Sequence, residues 1–364
     1  MTLILLSERW SDDNVAHDYL LRTITHTCGS IDVQIKSAAR KLVEILDRVL
    51  LDEQTIIVAA EGQEFATAAK VAATWMGTTI THRGNLLMPS CAELYDDNSF
   101  LLIKDGVQIS FLRLTSDTLL SAPIIQQTPP PSACLHIFHR TKSSLEVLIE
   151  PLAAASDIEW DIIPTGGGWL RLKAISRRFG NLSLFLSSLH KLLPGQIIQA
   201  QDLWAYAVET LAKNQKRVGL SESCTGGLIA SMFTAIPGSS AVFDGSVVTY
   251  ANWTKESWIG VLPQTLTEHG AVSKETVQEM LAGTLRTCQS DYAIAVSGIA
   301  GPSGGTPQKP VGTVWIGAKA KEREPVIEPF LFVGDRQAIR EQAAHHALRL
   351  LFECDPALFF AKNT

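Results

Sequence analysis

The stretch R-V-G-L-S-E-S-C-T-G-G-L-I-A-S-M-F-T-A, residues 217–235, decides the fold of the second half of the chain. Its first four residues predict a strand, and the apolar run 228–235 predicts a helix. The segment between them, Ser221 to Gly227, contains small hydroxyl residues and two glycines. A strand that turns through such residues into a helix presents backbone N–H groups at the helix N-terminus, which suit a phosphate or a developing oxyanion. Taken alone, such a turn more often only caps the helix.

Two later segments also carry polar residues just beyond a predicted strand. A strand over 242–250 ends in T-Y-A-N-W-T-K, residues 249–255, and a strand over 293–297 runs into G-I-A-G-P-S-G-G, residues 298–305. K-P-V-G then leads into a further strand over 313–318. The glycine-rich stretch alone is compatible with a flexible surface connection. Open α/β sheets, however, bind ligands beyond the carboxyl ends of their strands, so we predict a site at this edge.

Alternating strands and helices are also predicted over residues 3–125, which favours an α/β arrangement around a mostly parallel sheet. Residues 99–115 predict a hairpin that turns at 104–106. Pro129-Pro130-Pro131 follows a polar stretch and predicts a connector, because proline lacks an N–H and fixes φ. A compact segment over about 134–196 and a helix over 202–213 follow. We therefore predict three domains, over 1–128, 129–198 and 199–364.

The composition excludes several classes of protein. The 364 residues carry 31 Lys and Arg against 37 Asp and Glu, a net charge of −6, which argues against a nucleic-acid binder. With 46% hydrophobic and 19% charged residues the chain is not disordered, and its apolar runs are too short for a membrane span. No signal peptide is expected at the N-terminus. The six cysteines are scattered without a CxxC pair, which favours reduced thiols in a cytoplasmic protein over disulfides or a zinc site.

Six motifs, in this order and spacing, resemble the C-terminal domain of the CinA family (competence/damage-inducible protein A). They are S-E-S-C-T-G-G (221–227), I-P-G-S-S (236–240), V-V-T-Y-A-N-x-x-K (247–255), G-A-V-S (270–273), S-G-I-A-G-P-S-G-G (297–305) and K-P-V-G-T-V-W (309–315). The resemblance implies an α/β domain that hydrolyses the carboxamide of nicotinamide mononucleotide to nicotinic acid mononucleotide and ammonia, with no metal and no cofactor. Two departures stand out: Ser221 replaces a common Ala, and Ala251 replaces a common Ser.

The family's serine–lysine mechanism maps onto Ser223 as nucleophile, Lys255 as base and Tyr250 as a proton relay or a group that orients the lysine. The chemistry fits, because an amide is a poor electrophile and the attacking hydroxyl needs a base. Lysine can act as that base only if burial or a nearby cation lowers its pKa from about 10.4. The ordinary alternatives are that Lys255 is a solvated surface lysine and that Tyr250 is a tyrosine at the end of a strand without a catalytic role. A Cys224 nucleophile is disfavoured because no histidine lies in the nearby motifs, so Cys224 is expected in the core.

Substrate-binding residues are also implied by the resemblance. Backbone N–H groups of Thr225, Gly226 and Gly227 are candidates for the oxyanion hole. Asp335 reads as a helix N-cap, and Arg336 is a further candidate for the phosphate. The histidine pairs 136/139 and 345/346 lack partners at metal-ligand spacing, so no metal site is predicted. The ribose and phosphate are expected at Ser239, Ser240, Ser297, Gly298, Ala300, Gly301, Gly304 and Gly305.

The first 195 residues resemble the front half of longer CinA proteins in length and order: a molybdopterin-binding-like α/β domain followed by a small KH-like α+β domain. The glycine-rich loop expected near 59–66 reads A-A-E-G-Q-E-F-A, and without its glycines the backbone cannot approach a pyrophosphate. We expect the metal-dependent ADP-ribose pyrophosphatase activity of some relatives to be lost. The front domain would then be structural and support a homodimer. The KH-like segment lacks a Gly-x-x-Gly clamp, so no nucleic acid is expected.

The sequence thus predicts a cytoplasmic amidohydrolase of pyridine-nucleotide salvage that acts on a small molecule, with no membrane or nucleic-acid partner. Two alternatives remain. One is a catalytically silent nucleotide-binding or regulatory protein, and the other is an ADP-ribose pyrophosphatase. The presence of Ser223, Tyr250 and Lys255 together argues against the first, and the missing glycines argue against the second.

Overall fold

The structure, a computed structural model, describes residues 1–29, 31–51, 55–115, 120–126 and 130–360. The chain forms two compact units, Met1–Pro129 and Pro130–Thr364. Pro129, the first residue of the predicted connector, lies outside the described residues. Pro130 and Pro131 belong to no helix or strand, and the carbonyl oxygen of Pro131 accepts the N–H of Ser176 at 2.8 Å. The functional division into three domains stays a prediction.

The first unit is a sheet with helices on both faces. Its elements are β1 (Thr2–Leu5), α1 (Glu8–Asp12), α2 (Asn14–Cys28), β2 (Val33–Lys36), a 3₁₀ turn (Ala39–Lys41), α3 (Leu42–Val49), β3 (Thr55–Glu61), α4 (Gly62–Trp75), β4 (Ile80–Arg83), β5 (Leu86–Pro89), β6 (Leu94–Tyr95), β7 (Ser99–Lys104) and β8 (Val107–Leu114). The sheet order is β2-β1-β3-β8-β7-β6, parallel from β2 to β8 and antiparallel beyond. β4 and β5 pair separately.

The central strand β3 is buried over its middle five residues, because helices cover both faces of the sheet. Ile57 packs with the α2 side chains Leu20 and Ile24, whereas Val58 packs on the opposite face with residues of α3 and α4. The predicted hairpin is confirmed: β7 and β8 join through Asp105 and Gly106, which both have positive φ (52° and 82°).

The second unit contains two sheets. Its elements are β9 (Ser132–Ile137), α5 (Lys142–Ser156), β10 (Ile158–Pro164), β11 (Leu170–Ser176), α6 (Leu182–Leu192), β12 (Ile197–Gln199), α7 (Leu203–Lys213), β13 (Val218–Glu222), α8 (Leu228–Thr234), a 3₁₀ turn (Ser239–Ala241), β14 (Phe243–Val248), α9 (Asn252–Ile259), α10 (Pro263–Glu268), α11 (Lys274–Cys288), β15 (Tyr292–Gly298), β16 (Thr313–Ala320), β17 (Val326–Leu331), α12 (Arg336–Cys354) and α13 (Pro356–Phe359). The fold class, α/β with several sheets, is as predicted.

The smaller sheet is antiparallel, in the order β10-β11-β9-β12. The larger sheet has the order β14-β13-β15-β16-β17, in which β14, β13 and β15 run parallel and β16 and β17 antiparallel. Side chains of α7, α8 and α12 fill one face of the larger sheet, and side chains of α9 and α11 fill the other. The three parallel strands therefore end at one edge, inside a three-layer sandwich.

The two sheets of this unit share a hydrophobic core. Phe138 and Trp169, which flank strands of the smaller sheet, belong to the same buried cluster as α7 and α12. The indole N–H of Trp169 donates to His136 Nδ1 at 3.0 Å, and burial lowers the pKa of His136 to about 4. His136 is thus a structural histidine of this core. Among the described helices, none is long and apolar enough to cross a bilayer.

Candidate active site

The candidate site lies at the carboxyl ends of β13, β14 and β15. Two backbone hydrogen bonds hold these ends together: Ser223 donates its N–H to Val296 O at 3.0 Å, and Thr249 donates its N–H to Glu222 O at 2.8 Å. Because the strands are parallel, residues far apart in sequence meet at this edge. The segments after β13 and β14 bring Ser223 and Lys255 together.

Lys255 is buried, with 1% of its surface exposed, although it lies in the short helix α9. Its Nζ donates to Thr249 O at 2.7 Å, to Ser223 Oγ at 3.2 Å and to Tyr250 O at 3.5 Å. In the part of the chain that the structure describes, no carboxylate forms an ion pair with it. Loss of solvation lowers the pKa of Lys255 to about 8. The lysine therefore has a neutral, proton-accepting form at mildly alkaline pH, next to a serine hydroxyl.

The neighbouring thiol is placed differently. Cys224 is 5% exposed and belongs to the hydrophobic core, as predicted. Burial raises its pKa to about 12, and this effect outweighs the opposing charge of Lys255. A thiol that stays protonated is a weak nucleophile. Of the two adjacent groups, the hydroxyl of Ser223 is therefore the better candidate.

The backbone N–H groups of the turn are only partly available. Gly226 donates to Ser223 O at 3.1 Å and Gly227 to the carboxylate of Glu222 at 3.0 Å, so the prediction that these two N–H groups face the substrate needs correction. The helix N-terminus satisfies them internally. For Cys224 and Thr225, no oxygen within the described residues accepts the backbone N–H. The free donors thus start one residue earlier than predicted.

The phenol hydroxyl of Tyr250 does not hydrogen-bond to Lys255. The ring is 62% exposed, and its hydroxyl accepts a hydrogen bond from Arg336 Nη2 at 3.1 Å. Only the carbonyl oxygen of Tyr250 contacts Lys255. The expected proton relay through the phenol is therefore absent from this geometry.

Two arginines of α12 border the same edge. Arg336 Nη1 donates to Gly301 O at 2.6 Å, and Arg340 donates through Nε and Nη2 to Thr225 O at 3.2 and 2.7 Å. Asp335 caps the helix by accepting the N–H of Ala338 at 2.8 Å, as predicted. Sequence reasoning named Arg336 but missed Arg340. The i, i+4 spacing of the two, which places them on one helix face, was the available signal.

The loop after β15 is packed closely against β16. Ser297 is buried and donates to Ala271 O at 2.7 Å, so its hydroxyl is engaged within the protein. A Cβ on Gly298 would lie 2.7 Å from the Val314 side chain, which explains the glycine as a close-packing requirement. Gly301, with φ of 76°, presents its carbonyl to Arg336. Ala300 is buried, whereas Gly304 and Gly305 lie in the exposed part of the loop.

Ser239 and Ser240 are not brought to this edge. They form the 3₁₀ turn just before β14, and β14 starts with Phe243 beside Val218, the first residue of β13. Helix α8 returns the chain to the amino ends of the strands, so these serines lie at the edge opposite Ser223. The prediction that they bind ribose or phosphate in the same site is therefore wrong for this chain.

Within the described ranges, no group of three His, Cys, Asp or Glu residues could hold a metal.

Known proteins are similar to the part of the chain that carries this site. Residues 200–354 match the CinA C-terminal domain family. The chain is 40% identical over 237 residues to a CinA-like protein of Endomicrobium trichonymphae, a match that covers 60% of this chain and 54% of that protein. It is 48% identical over 136 residues to the nicotinamide-nucleotide amidohydrolase PncC of Escherichia coli strain K12, covering 37% of this chain and 82% of that protein.

Among solved structures, the competence/damage inducible protein CihA from Agrobacterium tumefaciens is 39% identical, with 42% of this chain and 93% of that chain covered and a TM-score of 0.42. The chain thus spans about half of the Endomicrobium relative, 82% of the Escherichia coli protein and 93% of the Agrobacterium chain. The matched range, residues 200–354, contains Ser223 and Lys255. On the family match over residues 200–354 and the 48% identity to a relative of which 82% is covered, the chain belongs to the CinA family.

Proposed function

We propose that this protein hydrolyses the carboxamide of nicotinamide mononucleotide to nicotinic acid mononucleotide and ammonia, with Ser223 as nucleophile and Lys255 as general base. The observation that carries the proposal is the buried lysine 3.2 Å from the serine hydroxyl, with which no carboxylate of the described residues forms an ion pair. The substrate is suggested by the 48% identity to the nicotinamide-nucleotide amidohydrolase of Escherichia coli.

In the first step, neutral Lys255 takes the proton of Ser223 Oγ as this oxygen attacks the amide carbon. The amide oxygen becomes an oxyanion, and the free N–H groups of Cys224 and Thr225 are the donors available to stabilise it. Lys255, now protonated, gives its proton to the leaving nitrogen. Ammonia departs and a nicotinoyl ester remains on Ser223.

In the second step, Lys255 is again neutral and removes a proton from a water molecule that attacks the ester. The carbonyl oxygens of Thr249 and Tyr250 hold the protonated lysine in place while it carries the proton. The proton then returns to Ser223 Oγ and releases the carboxylic acid. One amide and one water are consumed, and one acid and one ammonia are formed.

A cationic partner would stabilise the phosphate of the substrate, and the arginines of α12 are the candidates for it. Arg336 and Arg340 both border the site and hold only neutral oxygens in the described structure. A guanidinium group binds phosphate through two parallel N–H donors. We assign the phosphate to this side of the site, with the Gly301 loop beside it.

The direct test is release of ammonia from nicotinamide mononucleotide by the purified protein without added metal, compared with Ser223→Ala and Lys255→Ala. Turnover in the parent and its loss in both variants supports the proposal. The matched control Cys224→Ala should keep its activity, whereas its loss would favour a thiol nucleophile. A parent that binds the mononucleotide without releasing ammonia would instead support the regulatory alternative.

The same proposal includes a homodimer and a cytoplasmic role in pyridine-nucleotide salvage, with the front unit as a structural element. Exposed apolar side chains near the site, Tyr250, Trp253 and Trp258, are suited to a contact with a second copy. Light scattering of the purified protein would show twice the monomer mass if the contact forms.

A further inference from the structure

Glu222 is a fully buried carboxylate directly before the candidate nucleophile. It is 0% exposed, and no basic side chain forms an ion pair with it within the described residues. Its charge is met instead by four hydrogen-bond donors. Oε2 accepts the N–H groups of Gly227 and Ile229 at 3.0 and 3.1 Å. Oε1 accepts the N–H of Ala230 at 3.0 Å and the hydroxyl of Ser246 at 3.1 Å.

This arrangement replaces an ordinary helix cap. The N-cap residue of α8 is Gly227, which has no side chain to accept the first N–H groups of the helix. Glu222 takes that role from five residues earlier in the chain. Because its backbone ends β13 while its carboxylate holds Gly227, both ends of the turn over 223–226 are fixed by a single residue.

The backbone of Glu222 also reaches the lysine. Its carbonyl oxygen accepts the N–H of Thr249 at 2.8 Å, and the carbonyl of Thr249 in turn accepts Lys255 Nζ at 2.7 Å. Through Ser246, its carboxylate is tied to β14, the strand that leads to Lys255. Hydrogen bonds of Glu222 therefore help to position the serine, the free N–H groups and the lysine.

We propose that Glu222 is a positioning residue of the reaction: its buried carboxylate sets the turn that carries Ser223 and the N–H groups of Cys224 and Thr225. The inference rests on the proposed amide hydrolysis. It also explains why the substrate phosphate is not expected at the start of α8, since the carboxylate already occupies those donors. A displacement of the nucleophile by about 1 Å costs on the order of 100-fold in rate.

The test compares Glu222→Gln with the parent protein on nicotinamide mononucleotide. Glutamine keeps the shape but presents an NH₂ group to N–H donors, so the turn should shift. We expect kcat to fall by about 10- to 100-fold with KM changed by less than about twofold. The matched control is Tyr292→Phe, which removes a 2.8 Å hydrogen bond to Asp355 at the opposite edge of the sheet.

A purely structural role would lower the melting temperature of both variants and leave kcat unchanged in both. Equal kcat in Glu222→Gln and Tyr292→Phe at matched loss of stability would therefore overturn the inference. If Glu222→Gln fails to fold, Ser246→Ala removes one donor of the same carboxylate and should lower kcat by about threefold at unchanged KM. An unaltered kcat in that variant counts against the inference.

Labelling of Ser223 by a fluorophosphonate, followed by intact mass with Ser223→Ala as blank, separates this inference from the choice of substrate. A parent that is labelled but releases no ammonia from the mononucleotide contradicts the proposed substrate alone. Slower labelling of Glu222→Gln would then still support the positioning role, and equal labelling would contradict it. A parent that is not labelled at Ser223 overturns the inference, because no reactive serine is then being positioned.

Discussion

The ammonium group of Lys255 donates its shortest hydrogen bond, 2.7 Å, to the carbonyl oxygen of Thr249 rather than to the serine beside it. Thr249 is itself fully buried and directly follows β14, so this acceptor has a fixed position. A carbonyl can hold the charged lysine, but it does not neutralise the charge as a carboxylate would. The lysine is thereby kept in place while burial still lowers its pKa.

The first prediction concerns the pH dependence of the reaction. Because the pKa of Lys255 is lowered to about 8 and its neutral form is the base, kcat/KM should rise about tenfold per pH unit below that value and level off above it. Initial rates of ammonia release between pH 6 and 10 would show this rise and the plateau above it. A rate that is flat across this range would contradict lysine as the base.

The second prediction concerns stability. The folded-state pKa of Lys255 is depressed below its unfolded value of 10.5, so between about pH 8 and 10.5 the unfolded chain binds more protons. The free energy of unfolding of the parent should therefore increase with pH in this window relative to Lys255→Met, and the relative stabilisation is lost as the pH falls through about 8. Urea titrations of both proteins at pH 7 and 9 measure the difference.

The methionine variant keeps the length and removes the charge, so other titrating groups cancel in the comparison. A control with the exposed lysine of α7, Lys213→Met, should show the same pH dependence as the parent. Parallel pH profiles for the parent and Lys255→Met would mean that the lysine is not desolvated.

The third prediction separates phosphate binding from chemistry. Arg336→Ala should lower kcat/KM for nicotinamide mononucleotide by about 10- to 100-fold, the value of a charge-assisted hydrogen bond. The same variant should act on nicotinamide riboside, which lacks the phosphate, as the parent does. Arg323→Ala, which removes an arginine paired with Asp355, is the matched control and should affect neither substrate. Equal losses on both substrates would place Arg336 away from the phosphate.

Much of the site could be predicted because parallel strands end at a common edge. Ser223 and Lys255 follow two such strands, and their approach needed only that rule. Ser239 and Ser240 were misplaced because they follow a helix that runs back along the sheet, which a βαβ connection requires. Counting strand, helix and strand in order would have placed them at the opposite edge.

The contacts of Glu222 and Arg340 had no signal in a single sequence, although the i, i+4 spacing to Arg336 indicated that Arg340 shares its helix face. Glu222 stands among polar residues, and nothing nearby in the sequence distinguishes it from a surface glutamate. Its burial depends on N–H donors 5, 7 and 8 residues later and on the hydroxyl of Ser246. Arg340 reaches Thr225 across 115 positions of sequence. Such contacts are set by the packing of α12 on the sheet, which no local pattern encodes.

The last prediction concerns the start of α9, the helix that carries Lys255. Its N-cap residue is Ala251, in an extended conformation with φ −87° and ψ 156°, and its methyl group cannot accept a hydrogen bond from the helix. A serine at this position has the backbone geometry of a cap and would satisfy one of the free N–H groups of the first turn. We expect Ala251→Ser to increase the free energy of unfolding by about 1 kcal/mol, measured by urea titration. The matched control Ala154→Ser, at an exposed position inside α5, should instead decrease it by about 0.5 kcal/mol, because serine is a poorer helix former than alanine. A loss of stability in both variants would show that the start of α9 is already satisfied by another acceptor.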